Sequence, residues 1–221
     1  MFHFRFIGDS TTRRLVDSFE ALYTGIKPAH VLAHTTVDHR VGALDATYEW
    51  TPHCKDFPTS IANSTSGLDD PAQKVVVIVT QFGIHDITTV ERSKIAMDQC
   101  LDVTQQLIDF AQQQSIGGLR PIVLFMQGNP FMEGDERSGW MDELLVRRLE
   151  VLQNGEINNL EGNSSGRFYL LEDTASIFNK FECKRMDGSV HFSEPVKLIQ
   201  AKMLWHIMTI ISNDLDPGYS Q

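Results

Sequence analysis

Apolar positions along the chain fall into two rhythms, period two and period 3.6, that alternate from one terminus to the other. "FHFRFIG" predicts a strand at about 3–7, and the residues after it predict a helix from about 11 to 24. Residues 28–70 are rich in Pro, Ser, Thr and His and are expected to be irregular, with at most a short strand near "AHVLAHT". "KVVVIVT" is a continuous β-branched run, the composition of a strand covered on both faces. Ile95, Leu101, Leu107, Ile108 and Ala111 then recur near helical spacing and predict a helix from Glu91 to about Gln114, ended by Gly117 and Gly118. "RPIVLFMQ" reads as the next buried strand, "GWMDELLVRRLEVLQNGEI" as a helix and "GRFYLLED" as a strand. "SEPVKLIQAKMLWHIMTIISND" is the last helix, with Ser193 as candidate N-cap and Pro195 in its first turn.

Strands alternating with helices, without hairpin signals, predict a mostly parallel sheet with helices on both faces. The expected architecture is a three-layer α/β/α sandwich formed by one domain over residues 1–221. In such folds ligands collect at the carboxyl ends of the strands. The segments just past each predicted strand are therefore where chemistry is sought.

Composition narrows the partners. A chain of 221 residues, 42% hydrophobic and 22% charged, suits one domain with a full core. A formal charge of -10 argues against nucleic acid or an anionic membrane surface as the main partner. "VVVIV" is far too short to span a bilayer. "MFHFRFIGDS" has no basic segment ahead of a long apolar run, so the expectation is cytoplasmic if the chain is complete, and secretory or Golgi lumen if an anchor precedes it. The sequons at Asn63 and Asn163 matter only in the second case. Three cysteines without a CxxC pair indicate neither zinc nor a disulfide framework. One bridge is expected at most, Cys54–Cys183, because Cys100 sits in a predicted helix. His30, His34, His39 and His53 show no metal-ligand spacing, and no GxGxxG or GxxxxGK[ST] sequence follows a strand. No cofactor is expected, and the oligomeric state is left open.

Three rim segments carry candidate chemistry. Gly8-Asp9-Ser10 follows the first strand: Ser10 is placed to attack an acyl carbon while its own N–H helps hold the oxyanion, or else Ser10 or Thr11 simply caps the helix. Gly83-Ile84-His85-Asp86 follows "KVVVIVT" and offers a loop N–H and a side-chain donor, or a turn and an N-cap. Asp187 and His191 precede the last helix, as an acid and an imidazole able to orient and deprotonate a serine, or as an ordinary Asp-Gly turn and a surface histidine. Arg13 and Arg14 read as solvated or ion-paired on helical geometry.

Gly-Asp-Ser near the amino terminus, Gly-x-[Asn]-Asp after a middle strand and Asp-x-x-His near the carboxyl terminus form the pattern of the SGNH/GDSL hydrolases, and this chain resembles a member. The longer blocks "GDSTTRR" and "DGSVHF" resemble the PC-esterase branch, which includes esterase-like proteins and the luminal domains of glycan O-acetyltransferases. The resemblance implies a flavodoxin-like sheet of about five parallel strands and acyl-ester chemistry without metal or organic cofactor. It implies a serine acyl esterase acting on small acyl esters, such as acetyl groups on carbohydrate. Position by position, Ser10 matches the nucleophile, His191 the base and Asp187 its orienting acid. Ser10, Gly83, His85 and Gly42 match the oxyanion positions. Two departures stand out: His85 replaces the usual asparagine, and Asp-Gly-Ser-Val-His is one residue longer than Asp-x-x-His. Glu172 and Asp173 are alternative carboxylates. A glycan O-acetyltransferase using the same triad and a non-catalytic binding module on the same fold are the alternatives.

Overall fold

The computed structural model describes residues 2–26, 37–41, 44–63, 75–88, 94–112, 122–126, 138–157, 168–171 and 194–215. In chain order the elements are β1 (Phe2–Gly8), α1 (Ser10–Thr24), β2 (Val37–Val41), β3 (Leu44–Trp50), a single 3-10 turn (Cys54–Asp56), α2 (Phe57–Ala62) and β4 (Val75–Gln81). They continue with α3 (Ile84–Thr88), α4 (Lys94–Gln112), β5 (Ile122–Met126), α5 (Ser138–Ile157), β6 (Phe168–Leu171) and α6 (Glu194–Leu215).

Among the described residues, six strands form one sheet in the order β2-β3-β1-β4-β5-β6. β3, β1, β4, β5 and β6 run parallel, and β2 pairs antiparallel with β3 at the edge. Alternation along each strand splits the apolar residues between two cores. Phe4, Phe6, Val77, Val79 and Leu124 pack on one face with Leu15, Val16 and Phe19 of α1 and Ala201, Leu204 and Met208 of α6. Ile7, Val76, Ile78, Val123 and Phe125 pack on the other with Phe57 of α2, Val103 and Leu107 of α4 and Leu144 of α5. β4 is buried at every position because it lies at the centre with helices on both sides.

The expected α/β/α sandwich is therefore present, with five parallel strands and an antiparallel edge. Two expectations are corrected. Residues 28–70 are not all irregular, because β2 and β3 fall within them and pair as a hairpin, Val41 against Leu44. β3 keeps period two: Ala46 and Tyr48 face the first core. Two residues of its polar half are paired, Asp45 with His3 Nδ1 at 3.1 Å and Glu49 with Arg5 Nη2 at 3.1 Å. Cys54 bonds not to Cys183 but to Cys100, with the two Cα atoms 5.0 Å apart. Cys100 lies on the buried face of α4, and that face packs on the 3-10 turn, so a helical cysteine is well placed for the bond. Cys183 lies outside the described residues.

Candidate active site

β1 lies between β3 and β4, with Gly8 opposite both Trp50 and Gln81. α1, after β1, covers one face of the sheet, whereas α4, after β4, covers the other. The carboxyl ends of β1 and β4 thus flank a topological switch point, where a crevice opens in sheets of this kind. Ser10 and Gly83 each stand two residues beyond the Gly8–Gln81 pair.

Gly8 has φ 156, and a Cβ there would lie 2.8 Å from the Gln81 carbonyl oxygen. Only glycine lets β1 and the first turn of α1 approach β4 this closely. Asp9, not Ser10 or Thr11, is the N-cap: its Oδ1 accepts the Thr11 N–H at 2.8 Å and the Thr11 hydroxyl. Ser10 is half-buried in the first turn of α1, where N–H groups lacking intrahelical partners favour negative charge.

Tyr48 braces this turn from below. It is completely buried and donates its hydroxyl toward the carbonyls of Gly8 at 3.2 Å and Asp9 at 3.1 Å. Burial, and behind it the Asp9 charge, pushes its hydroxyl well above the usual phenol range, so it remains a donor. The Gly8 carbonyl also accepts the Thr51 N–H at 2.9 Å. Tyr48→Phe is accordingly expected to cost about 1 kcal/mol, the net worth of a neutral hydrogen bond whose acceptors keep other donors. Urea unfolding of both proteins measures it.

The second rim segment turns at Gly83, whose φ of 103 is left-handed and whose missing Cβ leaves room for Leu144 Cδ2, 3.0 Å from where a Cβ would stand. His85 is half-buried and meets Trp50 edge-on at 5.7 Å and His53 at 5.9 Å. Asp86, 2% exposed, accepts the Cys54 N–H at 3.2 Å and faces His53 Nδ1 at 3.8 Å. Burial raises the Asp86 carboxyl above the usual carboxylate range, while the Cys54 N–H and His53 act the other way.

Arg148 of α5 lies beneath this loop, fully buried over the rings of Phe82 at 4.3 Å and Phe125 at 4.7 Å. Burial pulls it down to about 9, opposed by the Asp86 charge, so it remains a cation at neutral pH. Donor atoms of Cys54, Asp86 and Cys100 lie within 4.8 Å of one another, but the two sulfurs are bonded together and offer no thiolate to a metal.

Of the sequence-derived site, Ser10, Gly83 and His85 stand on one rim. Asp187, His191, Gly42, Glu172 and Asp173 lie outside the described residues. Val41 and Leu44, which flank Gly42, pair at the amino-terminal end of β3, the end of the sheet away from Ser10. On the rim itself, among the described residues, Asp86 and His53 are an acid and an imidazole that face each other. Sequence analysis missed Tyr48, because its segment read as irregular, and Arg148, because an arginine within a helix reads as solvated.

No protein-family model and no curated protein sequence matches the chain. Solved structures do. A member of the lipolytic protein G-D-S-L family from Veillonella parvula superposes with a TM-score of 0.58 at 13% identity, over 95% of this chain and 99% of that one. An acetylxylan esterase from Geobacillus stearothermophilus superposes with a TM-score of 0.56 at 16% identity, over 92% of each chain. The fold is that of the SGNH hydrolases. Within this SGNH-type sheet, the turns after β1 and β4 bear the Gly-Asp-Ser and Gly-Ile-His-Asp sequences. None of the described helices is long and apolar enough to cross a membrane.

Proposed function

We propose that the chain is a serine acyl esterase. The observation that carries this is the position of Ser10: the first turn of a helix at the switch point of an SGNH-type sheet, with capping assigned to the neighbouring Asp9. Ser10 Oγ attacks the ester carbonyl carbon as His191 takes its proton, and Asp187 holds the imidazole in the receptive tautomer. The Ser10 and Gly83 N–H groups and the His85 ring donate to the oxyanion. The tetrahedral adduct collapses as the leaving alcohol takes the proton from His191. Water, deprotonated by His191, then attacks the acyl-enzyme and releases the carboxylic acid with Ser10 restored.

The substrate class is a small acyl ester, with acetyl on carbohydrate as the favoured case. The acetylxylan esterase is a structural neighbour, and replacement of one serine or of one histidine in it gives what are described as catalytic mutants. The blocks "GDSTTRR" and "DGSVHF" support the PC-esterase branch, in which a sugar hydroxyl in place of water would make the same acyl-enzyme an O-acetyltransferase. The Cys54–Cys100 bridge favours an oxidising compartment, and with it the secretory-lumen alternative.

A fluorophosphonate reagent followed by peptide mass spectrometry tests the nucleophile. The label is expected on Ser10, and ester turnover with no label there would overturn the assignment. His85 has its own test. His85→Ala is expected to lower kcat for p-nitrophenyl acetate about a hundredfold, the effect of losing one oxyanion donor. His85→Asn is expected to restore activity to within about tenfold of wild type, because the amide supplies a donor without regard to tautomer.

A further inference from the structure

α5 presents one stripe of side chains to the underside of the turn after β4. Trp140, Leu144 and Arg148, each one helical turn from the next, all approach Gly83. A Cβ at Gly83 would lie 3.0 Å from Leu144 Cδ2, 3.7 Å from Trp140 Cζ3 and 3.7 Å from Arg148 Nη2. Trp140 and Leu144 pack against the core on that face of the sheet, as apolar side chains do. Arg148 breaks the pattern. It is 2% exposed, and its Nε has no hydrogen-bond partner among the described residues. A guanidinium taken this far out of water opposes folding, and a methionine of similar reach would not.

The planar group is held from several sides. Its central carbon lies 4.3 Å from the centre of the Phe82 ring and 4.7 Å from that of Phe125. Those two rings meet edge-on at 5.1 Å and form a rigid corner for it. From there Nη2 donates to the Phe82 carbonyl oxygen at 3.5 Å. The Phe82 carbonyl and the Gly83 N–H belong to one peptide group. That peptide is trans, so it is planar with the two dipolar ends on opposite sides. With the oxygen turned toward Arg148, the Gly83 N–H is turned away from α5.

We propose that Arg148 is a positioning residue for the oxyanion site: it holds the Phe82–Gly83 peptide by its carbonyl and thereby aims the Gly83 N–H at the substrate oxygen. The proposal rests on the reading of Gly83 as an oxyanion donor. The hydrogen bonds at the two ends of one peptide strengthen each other, because each polarises the group in the same sense. At 3.5 Å the arginine bond is long in the resting protein, and it tightens as negative charge builds on the substrate oxygen. The gain therefore falls on the transition state and not on the bound ester. It also accounts for an arginine at a core position where an apolar side chain would favour folding, a trade characteristic of functional sites.

The test uses the whole chain with two variants. Arg148→Met keeps the reach and the packing and removes the donors, whereas Arg148→Lys restores a charge and a donor. Three readouts are taken: the carbon-13 resonance of the Phe82 carbonyl, p-nitrophenyl acetate kinetics, and inhibition by a trifluoromethyl ketone, whose serine adduct carries an oxyanion. Arg148→Met is expected to move the Phe82 resonance upfield and to lower kcat by at least about tenfold, with KM within about twofold. The ketone should bind more weakly by the same factor as kcat, and Tm should stay at or above wild type. Arg148→Lys is expected to return the resonance toward its wild-type position and to recover at least about threefold in kcat over Arg148→Met. An unmoved Phe82 resonance in Arg148→Met would overturn the proposal. Equal losses of kcat in the two variants would do the same, as would a lowered Tm with kcat and KM impaired together. If Arg148→Met does not fold, the wild type carries the test: ketone binding should move the Phe82 resonance downfield, and a resonance that stays in place overturns the proposal. If the wild type neither turns over ester nor binds the ketone, the esterase assignment fails, and the Phe82 resonance in the variants alone then decides whether Arg148 holds this peptide.

Discussion

Ser10→Ala is expected to lower kcat for p-nitrophenyl acetate by at least about 10³ and to abolish fluorophosphonate labelling, with the fold unchanged by circular dichroism. The size follows from the way a nucleophile, its base and its oxyanion donors act as a unit: removing the nucleophile alone forfeits nearly all of their joint effect. What survives is binding and the donors of the β4 loop. Stability should change little, because the helix cap is Asp9 and the Ser10 side chain is only half-buried. Turnover reduced less than tenfold would remove Ser10 from the chemistry. The same assay decides which imidazole is the base. His191→Ala is expected to match Ser10→Ala within about tenfold, whereas His53→Ala should lose less than about tenfold. The reverse result would transfer the role to the His53–Asp86 pair, whose Nδ1 and Oδ1 lie 3.8 Å apart on the described rim.

Opening the Cys54–Cys100 bridge is expected to produce the largest loss of stability. The cysteines are 46 residues apart, and closing a loop of that length in the unfolded chain corresponds to about 4 kcal/mol on the chain-entropy account. The effect should also reach the rim, because the Cys54 N–H donates to the buried Asp86 carboxylate, and Asp86 faces His53. Cys54→Ser with Cys100→Ser should lower the urea midpoint and steepen the slope, because the unfolded chain without its crosslink exposes more surface, and also lower kcat. Peptide mapping under non-reducing conditions should recover Cys54 linked to Cys100, and Cys183→Ser should leave both the link and the midpoint in place. A midpoint unaffected by the double substitution would refute the bridge as a stabilising element.

Local pattern carried much of this architecture. The alternating run of β1 and the continuous β-branched run of β4 name their own strands, since adjacent residues record which faces are covered. The glycine that ends β1 and the helix after it placed Ser10 on the rim before any packing was considered. β3 was legible in principle, with Ala46 and Tyr48 alternating against polar residues. Those polar residues resembled loop composition only because their ion-pair partners, His3 and Arg5, lie far away in the chain.

The sequence by itself determined the alternation of strands and helices outside residues 28–70, the class of sheet and the serine at the end of its first strand, because each depends on residues within a turn or two of one another. Only the tertiary structure decided that Asp9 takes the cap, that Cys54 chooses Cys100, that Tyr48 and Arg148 lie beneath the rim, and that Lys197 is buried. These are matters of which distant surfaces come to face each other. A buried tyrosine, arginine or lysine has the same local sequence context as an exposed one, and only packing and the loss of water tell them apart.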